Sequence, residues 1–439
     1  MFGRMRISWI TAVLLLFVAA GSAWAQTDGT YSGYSPYSIF GVGQLHQSGT
    51  SWNRGMGGVG IAARNNRFVN ILNPASVTAR DSLSFMSDLG LNGRISVFQE
   101  DGKRGAKTIF NMDDFVISFP MWRNTAFMAG IHPISDVGYG ISSKTVNVET
   151  GTQTFASVGN GGMYQVFAAA AITLWDRLSL GAQFNYNFGN INKKAALSYS
   201  DDSFRSSSTG DSLQVNSINV KFGLQYAQPL GKNSSLTLGA TYQLGSRLNG
   251  YSTHYRELGS YDRTRNPISL KDYNYRMGDE LGVGLAYKYG DKFMFEVDYI
   301  RSNWANTNLD QRMKDGDVEW AGFANVGDVA FTPSVGQTVR AGLEYTPNRS
   351  DIRYFLRRCT YRAGAYFDQS YYLVDGAHVN SVGVTLGVTL PVFRWYNGIS
   401  LGVDFGRRGL AASQVKETYF GFSVGFNVFD IWFQKRPYE

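Results

Sequence analysis

The sequence predicts an all-β fold: a transmembrane antiparallel β-barrel of about 14 strands, whose lumen is filled by an N-terminal plug. Three observations support this prediction. From Ser82 onward, apolar and polar residues alternate with a period of two, in several places over roughly ten residues. Short and long links between the alternating segments follow one another, as in membrane barrels with tight turns at one end and longer loops at the other. Residues 52–81, before the first strand, are rich in Gly and Asn and show no alternation.

The last alternating segment is the clearest. Phe420 and Phe422 lie on one face of it, and Gly421 and Ser423 lie on the other. This pattern indicates a half-buried strand, and alone it fits a soluble sandwich as well as a barrel. Length favours the barrel, since sandwich strands average about five to six residues and a tilted membrane strand needs roughly ten. The predicted strands are 82–98, 108–120, 125–136, 161–174, 178–189, 213–227, 235–247, 276–289, 292–302, 337–346, 360–371, 379–390, 399–407 and 417–429.

The composition of the 439-residue chain fits this architecture. Hydrophobic residues make up 44% and charged residues 17%, as expected if one face of each strand meets lipid and the other a polar interior. After the first 25 residues, no apolar run is long enough for a transmembrane helix. The single Cys359 cannot form an internal disulfide.

The N-terminus has the features of a secretory signal peptide. Arg4 and Arg6 precede an apolar run, and Ala23-Trp24-Ala25 forms a cleavage site. Without these two arginines the formal charge of +7 falls to +5, and no basic cluster with interleaved aromatics indicates a nucleic-acid partner. We therefore expect an outer-membrane location with periplasmic N- and C-termini. The predicted division of the chain is a signal peptide (1–25), an extension and plug (26–81), a barrel (82–433) and a periplasmic tail (434–439).

No pattern of catalytic or metal-binding residues is present. The four His residues are far apart, and no Ser/His/Asp grouping is suggested. The glycine-rich run of the plug superficially matches a dinucleotide fingerprint, but that motif needs a preceding strand and a following helix. We expect a non-enzymatic protein without metal or cofactor. The predicted plug motif, which serves turns and close packing, consists of Gly55, Gly57, Gly58, Gly60, Asn73, Pro74 and Ala75.

Charged residues at polar positions of the strands are expected to face the lumen. An Arg or Lys that faced lipid near mid-membrane would cost roughly 2–4 kcal/mol. Inward carboxylates could form ion pairs with the arginines of the plug, and a solvated polar lumen is the alternative. The candidates are Arg54, Arg64 and Arg67 on the plug, and Glu296, Asp298, Glu344 and Asp404 on the wall.

The plug and barrel together resemble the FadL-like family of outer-membrane barrels, including its Bacteroidota branch and PorV-like relatives. The residues that carry the resemblance are Ser48-Gly49, the run from Arg54 to Ala62, and Asn73-Pro74-Ala75 ahead of the first strand. The resemblance implies about fourteen strands around an N-terminal hatch. It also implies passive uptake of small hydrophobic compounds, released sideways where the third strand kinks inward.

The third strand offers a position for such a lateral opening. It contains Gly130, His132 and Pro133. Because Pro lacks a backbone donor, it is confined to edges and bulges of sheets. We therefore expect a kink and a local opening near His132 and Pro133.

The polar plug, with its three arginines, is less suited to an apolar conduit. The resemblance also implies an alternative: an accessory barrel subunit of a BAM-type assembly machine or of a type 9 secretion complex, with a larger barrel or lipoproteins as partners. Outer-membrane lipids are expected around the barrel. Lipopolysaccharide phosphates are candidate ligands of Arg407 and Arg408 at the predicted outer rim.

Overall fold

The computed structural model is a closed antiparallel barrel of 14 strands, as predicted. It describes residues 31–47, 49–81, 83–100, 102–147, 151–201, 203–258, 261–264, 266–324, 330–393, 397–411 and 414–431. The predicted signal peptide and the predicted C-terminal tail therefore lie outside the described residues. The strands are β1 (Ser84–Glu100), β2 (Lys103–Trp122), β3 (Thr125–Asn147), β4 (Gly151–Leu174), β5 (Leu178–Tyr199), β6 (Ser207–Pro229), β7 (Ser234–Gln243), β8 (Asp279–Tyr289), β9 (Phe293–Asn303), β10 (Val335–Tyr345), β11 (Thr360–Val374), β12 (Ala377–Phe393), β13 (Asn397–Arg408) and β14 (Lys416–Ile431).

Each strand pairs with its sequence neighbours, and the last pairs with the first. The ladder between β14 and β1 runs from Ser84↔Ile431 to Gln99↔Lys416, which closes the ring. In a bilayer, closure is what leaves no unpaired sheet edge.

The two ends of the barrel differ in their links. We call the end with links such as 123–124, 175–177 and 290–292 the turn end, and the end with links 244–278 and 304–334 the loop end. Smaller elements lie in the links and before the barrel. They are the strands Gln44–Leu45, Asn249–Leu258, Tyr261–Thr264, Ile268–Ser269, Met313–Asp315, Val318–Trp320 and Phe331–Pro333, the α-helices Ser51–Arg54 and Phe355–Arg358, and the 3-10 helices Pro36–Ile39, Pro74–Ala79 and Leu270–Tyr273.

Several strands are longer than the sequence pattern predicts. The predicted loop 190–212 is mostly strand, because β5 continues to Tyr199 and β6 begins at Ser207. The strand Asn249–Leu258, inside a predicted loop, pairs with the loop-end half of β6. On the extension of β5, polar side chains such as Lys194 and Ser198 face outward and apolar Ile191 is buried inside, so the outward apolar residues that mark a strand in lipid are missing.

The burial pattern is the reverse of that in a soluble protein. On β5, Leu180 and Phe184 are 38% and 52% exposed, whereas Gln183, Asn185 and Asn187 are buried. The same arrangement of apolar residues outside and polar residues inside recurs around the ring. An apolar outer surface of this extent is stable in lipid, so the chain is an integral membrane barrel.

Aromatic side chains surround the barrel at the turn end. Trp122 and Trp175 are 73% and 82% exposed there, and Tyr289, Tyr345 and Tyr361 are also exposed at strand ends. Such girdles mark the level of a membrane interface. No helix within the described residues is long and apolar enough to cross a membrane.

Candidate functional site: the plug and a gap in the barrel wall

The plug, residues 51–79, lies inside the barrel. Met56, Val59 and Ala62 have no exposed surface. The plug forms hydrogen bonds with β2, β6, β9, β10 and β12, which are distributed around the closed ring. A segment that reaches all these strands through their inward side chains can only occupy the lumen.

A belt of glycines on the inner face of the wall receives the plug. A Cβ added at Gly364 would lie 2.2 Å from Gly57 N, and one added at Gly239 would lie 2.2 Å from Ile61 O. At these positions only glycine leaves room for the plug backbone. The belt spans β5 to β8, β10 to β12 and β14, and consists of Gly181, Gly223, Gly239, Gly282, Gly284, Gly342, Gly364, Gly387 and Gly425.

On the side formed by β1 to β4, apolar side chains replace the glycines. Val69, Ile71 and Val77 of the plug form a buried cluster with wall residues that include Met128 and Phe167. The plug thus meets the wall through backbone on one side and through apolar packing on the other. The plug therefore contacts the inner wall on both sides of the lumen.

Two wall carboxylates bind the plug through its backbone. Asp298 Oδ2 accepts hydrogen bonds from the N–H groups of Gly60 and Ile61 at 2.8 and 3.1 Å. Glu296 Oε1 accepts from the next two N–H groups at 2.7 and 2.9 Å. This differs from the expected ion pairs with plug arginines. The glycine belt lets the plug backbone lie close to the wall. Its N–H groups, rather than the arginine side chains, therefore contact the two carboxylates of β9.

The three plug arginines have different partners. Arg54 Nη2 donates to Asp113 Oδ1 at 2.5 Å, an ion pair with a carboxylate outside the predicted set. Arg64 donates to Ser179 Oγ and Gln225 Oε1, neutral groups at 2.7 and 3.1 Å. Arg67 lies 3.6 Å from the exposed carboxylate of Asp291.

The remaining predicted carboxylates are held mainly by other wall residues. Glu344 Oε2 accepts from Arg362 Nε at 2.9 Å and from the indole N–H of Trp52, a plug residue, at 2.8 Å. Asp404 accepts a hydrogen bond from the Tyr366 hydroxyl at 2.9 Å. Plug and wall are thus joined by a mixed polar network rather than by a ring of ion pairs.

Asp113, the partner of Arg54, sits at a β-bulge. Gly90 pairs with Asp114 and Leu91 pairs with Met112, so Asp113 is the extra residue. Both aspartates are 1% exposed. Two successive charges on a regular membrane strand would place one in lipid, and the bulge avoids that cost. The Asp-Asp pair is therefore a signal by which sequence reasoning could have found this site.

The Asn-Pro-Ala part of the plug motif links plug and wall. Asn73 Oδ1 accepts from Ala75 N at 3.0 Å and caps the 3-10 helix that begins at Pro74. Asn73 Nδ2 donates to Ile61 O within the plug and to Leu224 O on β6, at 2.7 and 3.1 Å. The glycines of the motif lie next to the wall, and Gly57 and Gly58 have positive φ angles of 73° and 80°.

The barrel wall is incomplete between β2 and β3. Their ladder runs only from Trp122↔Thr125 to Phe115↔Ile131. Beyond this ladder, β2 and β3 no longer pair with each other, although β2 still pairs with β1 and β3 still pairs with β4. A gap therefore opens in the loop-end half of the wall.

The N-terminal arm, residues 31–47, occupies this gap. Gln44 and Leu45 pair with Asp136 and Ser135 on the free edge of β3. Ser35 N donates to Gly138 O at 2.8 Å, and further hydrogen bonds come from the N–H of His46 and the hydroxyl of Tyr34. On the other side, the Asn111 amide of β2 donates to Ser32 O. The arm thus pairs with the free edge of β3 and contacts β2 through the Asn111 side chain.

The residues predicted to form the lateral opening flank this gap. Gly130 is still within the β2–β3 ladder, which ends at Ile131, one residue before His132. At Pro133 the register between β3 and β4 shifts, but that ladder continues. The break therefore lies on the β2 side of the third strand.

An apolar cap closes the lumen at the loop end. Tyr37, Ile39, Phe40 and Val42 of the arm are buried with residues of the loop-end links, including Trp304. Between cap and plug the cavities are small, of about 60, 100 and 150 Å³. Charged groups line them, among which are Arg94, Lys221, Glu280 and Arg340.

Arg408, a candidate ligand for lipopolysaccharide, faces inward. Its Nη1 lies 3.1 Å from the buried Glu417 carboxylate, so this arginine is already neutralised by a wall residue. Arg407 remains exposed at the loop end. Within the described residues, no group of three His, Cys, Asp or Glu side chains is arranged to hold a metal ion.

The family model named BamG matches residues 6–439. The chain belongs to the BamG family. No curated protein matches it in sequence.

Among solved structures, this BamG-family barrel is similar to transporters. It has 17% identity to the Ralstonia pickettii toluene transporter TbuX, with a TM-score of 0.57 over 86% of this chain and 97% of that chain. It has 14% identity to the P. putida toluene transporter TodX, with a TM-score of 0.58 over 90% of this chain and 100% of that chain. It has 11% identity to a Pseudomonas aeruginosa FadL homologue, with a TM-score of 0.56 over 88% of this chain and 99% of that chain. These similarities confirm a FadL-like outer-membrane fold, and the assignment to the Bacteroidota branch stays a prediction.

Replacing Gly364 by Val should displace the plug. The added side chain would collide with Gly57 N, and overpacking of this kind costs roughly 1–3 kcal/mol. We expect increased ion conductance in planar bilayers, compared with a nearly silent wild-type barrel. Gly105→Val is the matched control, because an added Cβ there meets no atom within 4 Å. If Gly364→Val keeps the gel mobility of a folded barrel and conductance does not rise, the plug is not the seal.

Replacing Asp298 by Ala should loosen the plug locally. The N–H groups of Gly60 and Ile61 would lose their acceptor, at a cost of about 1–3 kcal/mol for each buried group. Hydrogen exchange of these amides should accelerate, and Asp298→Asn, which keeps one carbonyl oxygen, should have a smaller effect. Asp317→Ala, at an exposed loop carboxylate, is the control. Equal exchange in Asp298→Ala and the wild type would contradict this assignment.

Proposed function

We propose that this barrel is a non-enzymatic accessory subunit of an outer-membrane machine that assembles β-barrels. The observation that carries the proposal is the sealed lumen. The plug backbone lies directly against the glycine belt, and the apolar cap closes the loop end. A barrel closed at two levels is suited to serve as a rigid membrane body rather than as a conduit.

The character of the interior supports the same function. A site for a small apolar ligand is normally a mostly apolar cavity of about 300–1,000 Å³. The cavities that the described residues form between plug and cap measure about 60, 100 and 150 Å³ and are lined in part by charged groups. The Bam stem in the family's name is that of the BAM-type assembly machine, which agrees with the alternative considered from the sequence.

Affinity purification from the native outer membrane in mild detergent tests this proposal. A chain tagged after Glu439 should bring down a larger barrel in stoichiometric amount. A tagged outer-membrane barrel of unrelated sequence, expressed at the same level, should not. Isolation of the chain alone, with a bound apolar small molecule, would contradict the proposal.

The gap between β2 and β3 favours a second candidate function, lateral uptake of small hydrophobic compounds. The wall there is completed by a separate segment of chain, which could move without breaking the barrel. The similar solved structures include the toluene transporter TbuX and the monoaromatic hydrocarbon channel CymD. Movement of the arm is what uptake by this route would require.

A disulfide between arm and wall distinguishes the two functions. Leu45 and Ser135 are directly paired, so Leu45→Cys with Ser135→Cys can lock the arm in place. If the barrel is an accessory subunit, the oxidised variant should co-purify with its partner as well as the wild type does. If the gap serves uptake, oxidation should abolish entry of hydrophobic compounds and reduction should restore it. The single variants are the controls, because Cys359 is buried.

A further inference from the structure

The link 347–359 at the turn end carries exposed apolar side chains. Ile352 is 92% exposed and Leu356 is 68% exposed, and the aromatic rings of Tyr354 and Phe355 lie between them in sequence. Four large apolar residues within five positions give this link, the longest at the turn end among the described strands, an exposed apolar surface. Such a surface marks a contact with a membrane or with another protein.

The second half of this link lies on the outer perimeter of the barrel. The hydroxyl of Tyr361 donates to Leu356 O at 3.0 Å. Tyr361 is 38% exposed on the lipid-facing side, directly opposite Tyr345 of β10. Both tyrosines belong to the aromatic girdle, so the link lies at the level of the membrane interface.

The first half of the link is held at the barrel. Arg349 lies 3.9 Å from Glu344, which faces the lumen, and 3.9 Å from Asp291 in the neighbouring turn. The link therefore starts under the barrel and ends outside its rim. This course directs residues 352–356 toward the surrounding bilayer.

The charge of the link is strongly positive. It contains four arginines and one aspartate, which gives a net charge of +3. Arg353 and Arg357 stack on the ring of Tyr354 at 5.3 and 4.8 Å, and Arg358 stacks on Phe355 at 5.2 Å. Arginine on an apolar and aromatic base is the composition of segments that bind the surface of anionic bilayers.

Asp351 offsets only one of the four arginine charges. Its carboxylate accepts hydrogen bonds from the N–H groups of Tyr354 and Arg353, at 2.8 and 2.9 Å. The bond from Tyr354 in particular holds the pKa of Asp351 below its ordinary value. Asp351 thus folds the link into its compact turn, and its nearest arginine, Arg357, lies 3.4 Å away with 60% of its side chain exposed.

We propose that the link 347–359 is an interfacial anchor that binds the headgroups of anionic phospholipids in the periplasmic leaflet. Ile352 and Leu356 enter the boundary between headgroups and acyl chains, and Arg353, Arg357 and Arg358 contact the lipid phosphates. In outer-membrane barrels the short turns face the periplasm, which places this link at the phospholipid leaflet. The anchor fixes the tilt and rotation of the barrel at the side of β10 and β11.

The test uses the full-length barrel in nanodiscs, where both membrane faces are accessible. Ile352→Cys carries an environment-sensitive fluorophore, and Lys314→Cys in a loop-end link is the water-exposed control. The wild type, whose Cys359 is buried, is the labelling blank. One set of discs contains phosphatidylcholine alone, and the other contains equal parts of phosphatidylcholine and phosphatidylglycerol.

We expect the probe at position 352 to be quenched by spin-labelled lipid and protected from iodide, most strongly in the discs with phosphatidylglycerol. Each replacement of Arg353, Arg357 or Arg358 by Gln should lower the ratio of protected to exposed probe about fivefold, because one basic residue near an anionic surface contributes about 1 kcal/mol. Arg353 and Arg357 are exposed and Arg358 is half-buried, so each Gln variant is first checked for the gel mobility of the folded barrel, which should be unchanged.

Two results would overturn the proposal. One is a probe at position 352 that is as accessible to iodide as the probe at position 314, in both kinds of disc. The other is protection that is equal in the two lipids and insensitive to the Gln substitutions. Protection that arises only when a purified partner protein is added would assign the surface to that partner instead.

Discussion

The absence of water in the bilayer core is the constraint on which this structure depends. Each backbone N–H and C=O group at that depth needs a partner from the protein itself. Thirteen of the fourteen strand interfaces meet this need with a ladder through the membrane, and the interface of β2 and β3 does not. There the N-terminal arm provides partners for the free edge of β3, with Gln44 and Leu45 as a short added strand. The arm is therefore part of the wall as well as the lead into the plug.

The seal has a different chemistry at each of its two levels. At the plug, glycines let two backbones come into contact, and Glu296 and Asp298 satisfy the N–H groups that this contact removes from water. At the cap, the arm and the loop-end links bury aromatic and aliphatic side chains against each other. The plug level requires glycines on the inner face of the wall. The cap level requires loop-end links long enough to reach over the lumen. Between them remain small cavities with charged walls, which suit water rather than an apolar molecule.

The alternation of apolar and polar residues was enough to predict the strands. It was not enough to predict where two strands separate or which groups the lumenal side chains bind. Alternation depends on each strand alone, so all fourteen were found in order. Where β2 and β3 separate depends on the arm, which shows no strand pattern. The choice of backbone N–H groups by Glu296 and Asp298 follows from three-dimensional closeness that no spacing in the sequence encodes. Trp304, which resembles a girdle residue by its position at a strand end, is instead buried in the cap.

The arm's hydrogen bonds also bear on how often the gap can open. Ser35 and His46 donate to carbonyl groups on β3, and the pairing of Gln44 and Leu45 adds backbone bonds to the same edge. At about 1 kcal/mol for each of four bonds, release of the arm costs about 4 kcal/mol, and more where water cannot replace them. Since each 1.4 kcal/mol is a factor of ten, the open state is populated at about one part in a thousand or less. A wall that is closed this completely at rest is what an accessory barrel needs, whereas a transporter would need a substrate that binds the open state more tightly to offset the cost.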